Sequence, residues 1–299
     1  MAPDGRSFIT AVGRSQRPVM LHDSRGERPI SLEGYAFQVK LAPNHKTLYY
    51  RLLKGSQPAS DPTELWAADV DSGRNEPILP GFLMRGLYVY DISPDGTEVV
   101  FTSRSREGKD QLWLAPLDGT SPPRQIANIE GITPVFGFHG EIFFRAADEF
   151  VYKVHEDGAG LQKIIEKPIS LVKSISPDGR WLVVESGEAY ASPIGGGPLR
   201  RLGGDMDVGW TPDRRQMTIS IGEGGMQRFA AGKTYVIPLP PGEMLPNIPQ
   251  GGFRSRAQIV RLPGVHVIDA ADVAFGPVPG VYAFSREKTQ RNLFRIPLQ

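Results

Sequence analysis

The 299-residue sequence contains no cysteine, which excludes a disulfide framework, a thiolate metal site and a cysteine nucleophile. It has no excess of either charge. With 34 basic and 33 acidic side chains the formal charge is +1, which argues against a general binder of nucleic acid or anionic membrane. Long apolar runs are also missing, and no window approaches the roughly 18 uninterrupted apolar residues of a membrane span. The N-terminal stretch MAPDGRSFITAVGR shows no basic region followed by an apolar segment, so no signal peptide is read there. Histidine is scarce: His22, His45, His139, His155 and His266 are the whole set. None lies three or four residues from another, and HExxH does not occur, so no metal or other cofactor is expected. The GxSxG elbow of serine hydrolases is absent as well.

What is abundant is punctuation. The chain holds 34 glycines and 27 prolines, together about a fifth of its length, high for a helical protein and below the disordered range. They mark an internal repeat. One segment, a run of strand formers ending in a polar or proline residue and then glycine, recurs seven times. It reads VMLHDSRG from Val19, LWAADVDSG from Leu65, LWLAPLDG from Leu112, VYKVHEDG from Val151, AYASPIGG from Ala189, TYVIPLPPG from Thr234 and LFRIPLQ from Leu293. A tight turn leading into a second strand precedes each copy, as in SPDGTEVVFTSR, SPDGRWLVVES and APNHKTLYYR. Proline sets φ at the first central turn position, Asp or Asn bonds its own backbone, and Gly accepts positive φ. Short apolar pieces before each turn and after each closing glycine complete units of about four antiparallel strands in roughly 40–45 residues, the period of a propeller blade. The expected fold is therefore an all-β propeller filling residues 1–299 as one domain, with seven blades favoured and six as the alternative.

Two irregularities stand out. The last interval is long because of a Pro- and Gly-rich insertion at about 238–263, in which Ser255–Leu262 reads as a two-turn helix with Ser255 as N-cap. The first unit begins at its turn, with only Met1 in place of an inner strand, and the last ends at Gln299 without a fourth strand. A complete ring staples its ends in one shared blade. The expectation is thus a start upstream of Met1 in a longer reading frame, with three-stranded end blades as the alternative.

The SPDG turns at 93–96 and 176–179, followed by VVFTSR or WLVVES and then LWLAPLDG, resemble the WD-repeat-like β-propellers of the TolB-like family along essentially the whole chain. The tail, VIPLPPGEMLPNIPQGGFRS and then VYAFSREKTQRNLFRIPL, is similar to the C-terminal sensor propellers attached to bacterial serine/threonine protein kinases. No Gly-rich kinase loop, VAIK-like lysine, HRD or DFG occurs. The resemblance implies an extracytoplasmic recognition module without activity of its own.

Candidate ligand-binding residues come from the second strands, several of which end in arginine: Arg51, Arg104, Arg145 and Arg286. On one rim, four guanidiniums suit carboxylate or phosphate groups through bidentate hydrogen bonds; the competing reading has each of them locking neighbouring blades through a carboxylate. An aromatic set, Tyr35, Tyr88, Tyr90 and Trp210, sits near inner strands. The inner strands also offer Asp91, Lys173, Asp207 and Asp272, which read as too scattered for a metal cage. The expected function is non-enzymatic recognition of a protein, peptide or glycan by a monomer, with no nucleic acid and no membrane span. A propeller lyase or lactonase with a metal in the central channel is the alternative.

Overall fold

A computed structural model describes residues 7–31, 34–54, 62–84, 89–223 and 231–297. Among them the strands form four four-stranded sheets, one seven-stranded sheet and one two-stranded ribbon, all antiparallel. The first sheet holds β4 (Tyr35–Leu41), β5 (Thr47–Leu53), β6 (Glu64–Asp69) and β7 (Asn75–Pro77) in that order. The seven-stranded sheet runs through β8 (Tyr90–Ile92), β9 (Glu98–Arg104), β10 (Asp110–Pro116), β11 (Arg124–Phe136), β12 (Glu141–Ala146), β13 (Val151–His155) and β14 (Gln162–Ile165). Strand β11 serves twice: its first half pairs with β10 and its second half, from Gly131, with β12. Next come β15 (Leu171–Ile175) to β16 (Trp181–Ser186), β17 (Glu188–Pro193) and β18 (Arg200–Gly203), then β19 (Asp207–Trp210) to β20 (Gln216–Gly222), β21 (Gly232–Pro238) and β22 (His266–Ile268).

The final four-stranded sheet joins the two halves of the chain. Its order is β23 (Ala274–Phe275), β24 (Tyr282–Ser285), β2 (Val19–Asp23) and β3 (Gly26–Pro29). The three-stranded end units entertained from sequence are therefore not what is seen: the first and last repeats share one complete sheet. Met1 lies outside the described residues. The seventh copy of the motif falls in β25 (Lys288–Pro297), which pairs with β1 (Ser7–Gln16) in the two-stranded ribbon and enters no four-stranded sheet.

Burial explains why the second strands read as near-continuous apolar runs. In β5, Leu48, Tyr49, Tyr50, Leu52 and Leu53 are all buried, and β9 and β12 bury Val99–Phe101 and Ile142–Phe144. A middle strand packed on both faces has no solvent side to mark with polar residues. The apolar clusters lie between consecutive sheets. Phe101, Val99 and Tyr90 pack against Tyr49 and Leu65, Val183 and Leu202 against Val208 and Met217, and Leu48 and Tyr50 against Val19, Leu21 and Ala283 of the shared sheet.

The turns follow their sequence chemistry. Ser93 Oγ lies 2.6 Å from Asp95 Oδ1, Thr97 N donates to the same oxygen (3.0 Å), and Glu98 N donates to Ser93 Oγ (2.9 Å). Gly96 takes φ +75° there, and a Cβ at that position would stand 2.9 Å from Pro43 in the neighbouring turn. In the corresponding turns His45 takes φ 62° where Gly96 stands, and His139 takes 54° beside Gly140 at 75°, so both histidines are turn residues, as their repeat positions indicate. The insertion folds onto the sheets containing β18 and β19. Phe253 N donates to Leu202 O (2.7 Å) and Trp210 Nε1 to Met244 O (2.8 Å), while Phe253 and Ile259 bury into the shared cluster. The expected helix is shorter than Ser255–Leu262: α1 spans Arg256–Val260, and Ser255 occupies the N-cap position without a side-chain cap bond.

Candidate functional site

The inner strands β4, β8, β11, β15, β19 and the approach to β23 converge on one cavity of about 490 Å³. Asp91, Lys173, Asp207 and Asp272, dispersed in the sequence, all line it, together with Lys40, Ser174 and Gln38, which sequence reasoning passed over. Of the aromatic set, Tyr90 and Trp210 line the cavity. Tyr35 lies beside Arg17 (5.8 Å from ring centroid to guanidinium carbon), and Tyr88 is outside the described residues.

The polar groups of the cavity are joined to one another from sheet to sheet. Gln38 N donates to Asp272 Oδ2 (2.9 Å), tying β4 to the segment before β23. Lys40 Nζ pairs with Asp91 Oδ1 (2.6 Å), and Asp91 Oδ2 accepts from Phe136 N (2.9 Å). Val172 N donates to Thr133 Oγ1 (3.0 Å). Lys173 Nζ donates to Met206 O (2.8 Å) and pairs with Glu185 (2.5 Å) and Asp207 (3.0 Å). Thr234 Oγ1 donates to Ala270 O (2.8 Å), linking β21 to the segment between β22 and β23. Apart from the Lys173–Glu185 pair, which lies within one sheet, these bonds cross between neighbouring inner segments or tie one to the sheet beside it.

Backbone strain aims several of these side chains. Gln38, Thr133 and Asp272 hold φ of 52°, 54° and 52°, and in β4 and β11 this coincides with a shift in pairing register between Phe37 and Lys40 and between Ile132 and Val135. The pairs Leu41↔Leu48, Phe136↔Ile142 and Phe275↔Tyr282 put all three at the same distance from the tight turn. A β-branched residue at positive φ costs about 1–3 kcal/mol. The bulge at Thr133 and the positive-φ residue Asp272 each bring a side-chain oxygen to the backbone N–H of the next inner strand.

The same register places the four arginines. Counting outward from Leu48, Val99, Ile142, Leu182, Met217 and Tyr282, the equivalent second-strand positions are Arg51, Thr102, Arg145, Glu185, Ser220 and Ser285. All six are polar. Arg51 and Arg145 thus correspond, whereas Arg104 and Arg286 lie further along their strands. Arg51 is only 1% exposed. Its guanidinium donates to Thr63 Oγ1 and Gln38 Oε1 (2.8 Å each) and lies over the Phe37 ring (4.7 Å). Burial pulls its pKa down to about 9. Arg145 donates to Ile169 O (3.1 Å), just before β15, and to Glu149 (2.8 Å). Arg104 donates to Gly108 O (3.0 Å) and stands 3.4 Å from Asp110. Arg286 pairs with Glu27 (2.5 Å), and both line a second cleft of about 520 Å³ with His266 and Tyr282. Arg104 is exposed, Arg286 and Arg145 are partly buried with side chains 40% and 20% exposed, and Arg51 belongs to the interior.

Among the described residues no three His, Asp or Glu side chains come together as a group able to hold a metal ion, and no helix is long and apolar enough to cross a membrane. The Lys173 cluster is a cation among carboxylates and not an acidic cage.

No family model matches the chain. Over 105 residues, a third of this chain and a quarter of the other, it is 29% identical to the uncharacterized protein YidR of Escherichia coli strain K12. The match therefore spans only a quarter of the length of that curated relative. Solved structures define the fold class. A putative TolB from Agrobacterium tumefaciens superposes with a TM-score of 0.64 at 14% identity, over 93% of this chain and 99% of that one. TolB from Acinetobacter baumannii gives 0.56 at 15%, over 75% and 61%. Oligogalacturonate lyase in complex with manganese gives 0.51 at 16%, over 89% and 82%. The chain has a TolB-like β-propeller fold, which an oligogalacturonate lyase also resembles.

Proposed function

We propose that this chain is a six-bladed recognition propeller that binds a carboxylate-bearing peptide, protein or glycan and performs no chemistry on it. Six blades are supported by dividing the seven-stranded sheet at β11 and counting the shared sheet of the two chain halves as one blade. One observation carries the functional reading: the charged groups of the central cavity are bonded across neighbouring sheets, so the polar chemistry of the channel holds the ring together. The ligand surface is the rim where Arg104, Arg145 and Arg286 meet Asp110, Glu149 and Glu27. Exposed ion pairs contribute little stability, so an incoming carboxylate can replace the resident one at small cost while gaining bidentate geometry. The likeness of the tail to kinase-attached propellers supports a sensor role for this surface.

The test is isothermal titration of the purified protein with trigalacturonate and with tetraglutamate, with and without manganese. At least one of the two should bind wild-type protein, with affinity lost in the Arg104→Ser/Arg145→Ser/Arg286→Ser triple variant. Failure of both probes to bind, or binding indifferent to the triple change, rejects the rim. Manganese-dependent release of unsaturated uronate would replace recognition by catalysis.

A further inference from the structure

Strands β1 and β25 pair over ten residues each, from Ser7↔Pro297 to Gln16↔Lys288. Neither has a second neighbouring strand among the described residues. Their ladder continues that of β2 and β24 in the same register, since Val19 faces Ser285 as Gln16 faces Lys288. Arg286 N donates to Pro18 O (3.2 Å) across the break. The pair thus leaves the shared sheet as an arm roughly 30 Å long. The repeat tells what the arm is. Strand β1 follows a PDG turn signature, as second strands do, and β25 carries LFRIPL, a third-strand segment. In the four-stranded sheets these are the two middle strands, flanked by an inner and an outer one. The arm is the centre of a sheet whose flanks are missing among the described residues. A two-stranded ribbon alone is marginally stable in water, and its open edges are templates for pairing.

We infer that a second copy of this chain completes the arm: two arms pair edge to edge across a two-fold axis, β1 against β1, to form a four-stranded sheet. The pairing gives β1 the second neighbour it has in the repeat and leaves β25 at the two outer edges. Composition selects the edge. Strand β1 reads SFITAVGRSQ, rich in strand formers, with one charge and no proline. Strand β25 reads KTQRNLFRIP and carries Lys288, Arg291, Arg295 and Pro297, the residue types that keep an edge from pairing. An isologous antiparallel pairing closes at two copies and does not propagate. This dimer replaces the monomer expected from sequence and does not depend on the rim ligand.

The absence of cysteine makes the test clean. Light scattering of wild-type protein should give twice the single-chain mass. Of the variants Ile9→Cys, Thr10→Cys, Ala11→Cys and Val12→Cys, those nearest the two-fold axis meet their own copy at about 4.5–5.5 Å between Cα atoms, within disulfide reach. They should oxidise to a covalent dimer, while Asn292→Cys on β25 should not. Thr10→Pro and Ala11→Pro remove adjacent N–H groups that point to opposite edges. Both should halve the mass and leave the thermal midpoint of the propeller in place, because β1 belongs to none of its four-stranded sheets. A single-chain mass at every concentration, cross-linking from β25 and not from β1, or a dimer surviving both proline changes would overturn the assignment.

Discussion

Four arginines that look alike in sequence do different work, and burial separates them. Arg51 is enclosed by Thr63, Gln38 and Phe37, whereas the side chain of Arg104 is 53% exposed beside Asp110. Removing the Arg51 guanidinium opens a cavity and leaves Gln38 Oε1 without that donor. The expected cost of Arg51→Ala is roughly 3 kcal/mol of unfolding free energy, read as a lower urea midpoint. Arg104→Ala should leave that midpoint unchanged. Equal losses in the two variants would show that Arg104 is also structural. Sequence spacing brought both to a strand end, but only the sheet register shows that Arg51 corresponds to Arg145, with Thr102 and Ser285 standing where a further arginine was expected.

At the scale of elements, the tight turns were legible and the inner-strand bulges were not. The turn signature Ser-Pro-Asp-Gly specifies its own bonds: the Ser93 and Thr97 hydroxyls and the Thr97 N–H hold the Asp95 carboxyl below its ordinary pKa of 3.8, and the Thr211 hydroxyl does the same for Asp213. A carboxyl depressed in the folded state stabilises above its unfolded pKa, and that stability is lost as pH falls through the folded value. The protein should therefore weaken as pH drops below about 4. In the Asp95→Asn/Asp213→Asn variant the urea midpoint should fall less steeply between pH 5 and pH 3; an unchanged slope would place the acid sensitivity elsewhere. The bulges at Gln38 and Thr133 carry no comparable signal, because their positive φ is imposed by register against β5 and β12 and by hydrogen bonds to other strands.

The whole molecule is closed by one sheet. Strands β2 and β3 from the N-terminal side bury Val19 and Leu21 against β24, and Phe284 and Ala283 complete the contact from the other end. Deleting residues 1–31 would strip two strands from this sheet and open the ring. The expected result is loss of the single cooperative calorimetric transition, with aggregation through the exposed edge of β24. A sharp transition near the wild-type midpoint would mean that the remaining sheets are stable without closure. The seven copies of the motif suggested seven equal units, yet the copy at Leu293 went to the ribbon, since a repeat motif records which strand a segment becomes and not which sheet receives it.

The sequence by itself determined the local chemistry: turn residues at their places, strand formers between them, all-β character, and the insertion after Pro238. These follow from steric limits on Pro and Gly and from side-chain periodicity, which act over a few residues. Only the tertiary structure decided that Asp91, Lys173, Asp207 and Asp272 share one cavity, that Arg51 lies inside, and that both halves of the chain meet in one sheet. Those outcomes depend on closure of the ring, where contacts between residues more than two hundred positions apart, such as Gln38 with Asp272, form only once the sheets in between are in place.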